Sequence, residues 1–287
     1  MPTRYELPQD DERTALREGV VRALHAVPMH FVSTINVEGI STTDLFAMNT
    51  LLGGAIESQT VETLNATRAI WDPQGRWADY EFKRYAESFP DVRLESNDGG
   101  DPLIGIELKG WYLLAKEEEP SFRFKASANA MTVWDLIAVF PWSLSNVISG
   151  KPILEAPFIE QAKYAADMRT EYWENRSATA QPVEHPDTHP YPDSRSTYSD
   201  IVHDDRGGNF GRIARITGLM DDWVKNAMTT SLAGIEARWW VRFFKLFDER
   251  GDENTIRTKF ERLAAQAGRD SEWVENIVAH VTGLMEL

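Results

Sequence analysis

Apolar and polar positions along this chain change period several times, and each change predicts a new element. Residues 12–26 repeat every three to four positions, with Leu16, Val20 and Leu24 on one stripe, so a helix is expected there, stopped by Pro28. Ser41-Thr-Thr-Asp44 supplies capping side chains for a long helix running to about Trp71, where Asp72-Pro73 breaks it. On that helix Glu57 shares a stripe with Val61, Leu64 and Trp71. An acid on an apolar face needs a cationic partner such as Arg68, or a metal. Residues 78–88 read as helical. From Phe89 the period falls to two. Val92 and Leu94 alternate with polar neighbours, Asn97-Asp98-Gly99-Gly100 is a turn, and a second strand covers about Leu103 to Leu114.

This hairpin gathers chemistry. Ile104, Ile106 and Leu108 take one face of the second strand, so Glu107 and Lys109 share the other. A loop ending at residue 100 or 101 sets Asp91 opposite Ile106 or Glu107, and opposed residues share a face. Asp91, Glu107 and Lys109 are therefore expected in one cluster. Like charges facing each other on a sheet are destabilising, and a divalent cation would give the two acids a reason to meet.

Further on, residues 120–125 alternate as a third strand and residues 135–142 form the short apolar run of a buried central strand. Residues 156–175 read as a helix. Residues 176–206 are poor in apolar side chains and are expected to be a long loop. His185 and His189 have the spacing of a helical zinc pair, but prolines at 182, 186, 190 and 192 forbid the helix. Gly207-Gly-Asn-Phe-Gly211 precedes two arginines and predicts a turn at a helix start. From Leu219 the pattern is helical, with segments 235–247, 254–267 and 271–285.

Pro90-Asp91 on one strand and Glu107-Leu108-Lys109 on the next resemble the PD-(D/E)XK nuclease superfamily, of type II restriction-endonuclease-like proteins, over roughly residues 44–140. An acid-x-Lys triple alone is common. Glu81-Phe-Lys83 with Asp72 fits it too, and is set aside because residues 78–88 read as a helix. The resemblance implies an α/β fold with a restriction-endonuclease-like three-layer core, a mixed sheet flanked by helices, to which the pattern beyond Leu219 adds a helical C-terminal part. Its parts would be an N-terminal helical segment (1–40), a catalytic core (41–176), a polar loop (177–206) and helices packed on the core (207–287). It implies Mg²⁺, with Mn²⁺ as a substitute, held by Asp91, Glu107 and the Leu108 backbone carbonyl, with Glu57 as a fourth acid and Lys109 acting on the attacking water. The superfamily usually has a helix where only residues 126–133 stand here, which leaves the strand order beyond the third strand open.

Composition qualifies this picture. The chain has 287 residues, no cysteine and a formal net charge of −15. Thiolate metal sites and disulfides are excluded, and with no apolar run of membrane length or signal-peptide kind a cytoplasmic protein is expected. An acidic chain repels DNA at long range, but only charge within a Debye length of roughly 8–10 Å of the groove counts. Residues 206–245 hold seven basic side chains against three acidic ones. Arg206, Arg212 and Arg215, with Arg123, are the candidate contacts to DNA phosphates. The expected partner is double-stranded DNA, bound by a homodimer, with no membrane and no small-molecule cofactor. The alternatives are a repair-type nuclease of the same superfamily or a non-catalytic acidic binding protein that keeps its fold.

Overall fold

The computed structural model describes residues 1–38, 48–86, 88–192, 198–245 and 253–285; the expected cap at residues 41–44 lies outside them. Helix α1 (Glu12–His30) is capped by Asp11, whose Oδ1 accepts the Arg13 N–H at 2.9 Å. It runs past Pro28, which sits in the last turn, where its missing N–H costs one bond and the buried Leu24 and Val27 keep the helix docked. The long helix expected to reach Trp71 is two pieces, α2 (Met48–Ala66) and α3 (Arg68–Trp71). Gly19 of α1 lies under Trp71: a Cβ there would meet the Trp71 carbonyl oxygen at 2.6 Å.

Next come β1 (Tyr80–Arg84), β2 (Val92–Ser96) and β3 (Ile104–Tyr112). Residues 78–88 thus contain a strand, not the expected helix. The antiparallel ladder of β1 with β2, Phe82 facing Leu94, overrides the helical pattern of this stretch. Strand β4 (Leu136–Leu144) lies parallel to β3, and its other edge pairs with β5 (Pro152–Leu154) and β6 (Phe158–Gln161). The fold is therefore α/β with a mixed sheet in the order β1-β2-β3-β4, both β5 and β6 closing the β4 edge. Trp142 pairs with Leu154 and Val139 with Phe158, so three residues face two at Pro141, a bulge that absorbs a proline in a central strand.

Residues 120–125 do not form the expected third strand of the sheet. Their backbone groups are used elsewhere: the Phe124 N–H donates to the Gly211 carbonyl at 2.8 Å, and Arg169 Nη1 donates to the Phe124 and Ala126 carbonyls at 2.9 Å each. The helix expected over 156–175 begins later, as α4 (Ala162–Glu174), because its first residues are β6.

The C-terminal part is α5 (Asp221–Ala227), a short hairpin of β7 (Ser231–Leu232) and β8 (Ile235–Glu236), α6 (Ala237–Phe244), α7 (Glu253–Ala267) and α8 (Ser271–Met285). The β7–β8 hairpin interrupts what the sequence pattern reads as all helix, and Ala233 and Gly234, both with positive φ, make its turn. Ile213, Leu219, Val224 and Phe244 join the main core, whereas Phe260, Ala264, Val274 and Val278 form a separate small one. Among the described residues no helix is long and apolar enough to cross a membrane.

Candidate metal centre

The β2–β3 ladder pairs Val92 with Ile106; one step further along it Asp91 stands across from Glu107. Asp91 Oδ2 accepts the Leu108 N–H at 3.0 Å and Lys109 Nζ at 3.1 Å. Lys109 Nζ also lies 2.7 Å from Glu107 Oε1. One ammonium group thus joins two carboxylates, as the period-two alternation of the hairpin requires. The apolar partners Val92, Leu94, Ile104, Ile106 and Leu108 are all buried. On the face with Glu107, Gly105 leaves room for Pro90 and Tyr191; a Cβ there would come within 2.6 Å of both side chains.

The electrostatics of the trio follow from burial and crowding. Desolvation, then the Asp91 charge, pushes the Glu107 carboxyl up to about 7, in spite of Lys109. For Lys109 burial favours losing the proton, but Glu107 and Asp91 outweigh it and hold the ammonium well above the usual lysine range. Two acids against one base leave a surplus of negative charge. Glu107 Oε2 is buried without a hydrogen-bond partner, an orphaned hard oxygen of the kind Mg²⁺ takes. A divalent cation at this place would draw on Glu107 Oε2, the Asp91 carboxylate and the Leu108 carbonyl, with water in the remaining positions. Among the described residues no group of three or more His, Cys, Asp or Glu side chains is placed to hold a metal ion.

Glu57 is brought near without joining. Its carboxyl is pushed up by burial and then by the Asp91 charge, while Arg84 Nη2 donates to its Oε2 at 3.2 Å. Arg68, the arginine the helical spacing offers, instead donates to the Trp77 and Tyr80 carbonyls. Glu81 and Lys83 do lie on a strand, yet they build no second site. Asp72 is occupied in a turn, accepting the Arg76 and Trp77 N–H groups at 2.8 and 2.9 Å.

The arginines proposed for DNA are not gathered at the trio. Arg215 Nε lies 2.6 Å from Glu119 Oε1, and Arg123 Nη1 lies 3.5 Å from Asp205 Oδ2 against Gly208. Arg212 Nε is buried without a partner, and Arg206 is exposed. Only a three-residue 3₁₀ turn, Ile213–Arg215, follows the glycines, so the expected helix start after Gly211 is absent.

Several described residues of the polar stretch 177–206 are bound to the core. Glu184 and Ile201 exchange backbone hydrogen bonds at 3.1 and 2.9 Å, closing the segment between them. Arg169 of α4 and Asp200 form a fully buried ion pair, and His185 Nδ1 lies 2.9 Å from the other Asp200 oxygen. Arg93 donates to the Phe89 and Pro192 carbonyls at 3.0 and 3.3 Å. Tyr191 O–H donates to Asp135, whose carboxylate also accepts the Gly105 and Thr132 N–H groups. Burial raises the Asp135 carboxyl, and these hydrogen bonds oppose it. Described residues of the segment are thus tied to Arg93, Asp135 and Arg169, and Tyr198 meets Phe89, ring centroids 5.9 Å apart. Sequence pattern gives no sign of Arg169, Asp135 or Tyr198 in this role, since each sits in a stretch without a diagnostic motif.

Compared with known proteins, the chain matches no family model, no curated protein and no solved structure.

Proposed function

We propose that the protein is a Mg²⁺-dependent DNA endonuclease with a restriction-endonuclease-like core, most closely a type II restriction endonuclease. The observation that carries this reading is the meeting of Asp91 and Glu107 at one lysine, with a buried Glu107 oxygen left unpaired. Asp91, Glu107 and the Leu108 carbonyl would hold Mg²⁺, or Mn²⁺ in its place. The bound ion supplies a Lewis acid for the phosphate and lowers the pKa of a water. Lys109 would orient the attacking water and offset the charge that builds on the phosphate. Glu57, already beside the Asp91 charge, would steady the cluster from α2. Double-stranded DNA is the substrate, Arg206, Arg212, Arg215 and Arg123 are its candidate phosphate contacts, and a homodimer would present two such sites.

The test is incubation of purified protein with phage or plasmid DNA, methylated and unmethylated, in Mg²⁺ or EDTA, beside the Lys109→Ala variant. Discrete metal-dependent fragments that the variant fails to produce are the expected result. A smear would favour a repair-type nuclease.

A second reading draws on the same ion pairs. Lys109 already bridges both acids, and the net charge of −15 suits an acidic binding protein for a basic partner. Such a protein would cut no DNA and its stability would ignore divalent cations.

A further inference from the structure

We infer that Tyr198 is a further substrate-binding residue of this centre, its hydroxyl donating a hydrogen bond to a non-bridging phosphate oxygen of the bound strand. The inference rests on the nuclease reading and extends it to a residue outside the hairpin.

Three tyrosines surround the β2 end that carries Asp91. Tyr85 donates its O–H to Glu95 at 2.7 Å, and Tyr191 donates to Asp135. Tyr198 has no such partner among the described residues, and it is half-buried rather than sealed. Its placement is fixed on both sides. The ring packs on Phe89, two residues before Asp91. The Tyr198 carbonyl accepts the Ser127 N–H at 2.7 Å, and two residues later Asp200 is locked by Arg169 and His185. Among the described residues, therefore, the phenol is a placed donor whose hydrogen-bonding capacity is unspent.

The charge of the centre explains why such a donor is needed. A phosphodiester brings another negative charge to a cluster of Asp91, Glu107 and Glu57, and the cations at hand, Lys109 and Arg84, are already paired with these acids. Burial, then the Glu107 and Asp91 charges, raises the Tyr198 hydroxyl above its ordinary value. It therefore keeps its proton, and can donate, throughout the neutral range. An uncharged donor adds phosphate affinity without competing with a divalent cation for the carboxylates.

The test uses the full chain as wild type, Tyr198→Phe and Tyr198→Ala. Cleavage is measured in Mg²⁺, and binding of a fluorescent duplex by anisotropy in Ca²⁺ and in EDTA. Tyr198→Phe keeps the ring on Phe89, so its melting temperature should match wild type, while duplex affinity and kcat/KM fall by about ten- to a hundred-fold, the usual loss for a hydrogen bond to a charged group. Tyr198→Ala should also lower the melting temperature. Tyr198→Phe within roughly two-fold of wild type in binding and cleavage would overturn the role of the hydroxyl alone, being far less than a charged hydrogen bond is worth. Wild type that neither binds nor cuts DNA would overturn it together with the nuclease reading.

Discussion

Two ionic clusters, one fully and one partly buried, each begin two residues beyond a partner in the Phe89–Tyr198 ring contact, at Asp200 and Asp91, and they are built to opposite specifications. Around Asp200 one acid meets one arginine and one histidine, and each carboxylate oxygen has a partner. Burial draws the Arg169 guanidinium down to about 10, with the Asp200 charge opposing it. Around Lys109 two acids share one base and a carboxylate oxygen has no partner. A charge-balanced cluster closes a loop onto a core, whereas a cluster with surplus negative charge is finished only by something positive from outside.

The sharpest way to break this contrast is to remove Asp200. Asp200→Ala leaves Arg169 buried and uncompensated, so it should cost about 3–5 kcal/mol of stability and free the 184–201 segment for proteolysis. Limited trypsinolysis and a melting curve would check it; an unchanged melting temperature would dissolve the distinction. Next in size is the response to metal. At a Mg²⁺, Mn²⁺ or Ca²⁺ concentration near a hundred times Kd, wild type should gain about 2.7 kcal/mol, and Glu107→Ala should gain none, as differential scanning fluorimetry would show.

A third effect is on pH. The Glu107 carboxyl rises from the ordinary 4.5 to about 7 in the fold, so the folded chain binds the proton more tightly than the unfolded one. Its contribution favours the metal-free fold fully below about 4.5 and is lost as pH rises through about 7. Melting temperatures of the metal-free protein should reflect this decline, and Glu107→Gln should remove that part of it. Metal affinity should move the other way, rising through about 7 as the proton leaves Glu107. A metal affinity flat across this window would place the cation elsewhere.

Much of the centre was legible in the sequence because it rests on a hairpin. Period two fixes that Glu107 and Lys109 share a face, and the short turn narrows Asp91 to a place opposite Ile106 or Glu107, between which the β2–β3 ladder chooses Glu107. Glu57 was legible only as an acid on an apolar stripe; that Arg84 rather than Arg68 answers it depends on β1 lying beside α2. The arginines after Gly207 show the limit, since spacing cannot tell a free cation from one paired to Glu119 or Asp205 across the fold.

By itself the sequence determined the β2–β3 hairpin, the face shared by Glu107 and Lys109 and the amphipathic helices on its flanks, all of which follow from local period. Tertiary structure alone decided that residues 80–84 pair as a strand, that 120–125 give their backbone groups to Gly211 and Arg169, and that described residues of the polar stretch are tied to Arg169, Arg93 and Asp135. Those outcomes turn on hydrogen bonds and ion pairs between residues as far as 99 positions apart, as Arg93 and Pro192 are. No local pattern encodes such pairings, because each partner's own neighbours are compatible with several structures until burial makes an unpaired group too costly.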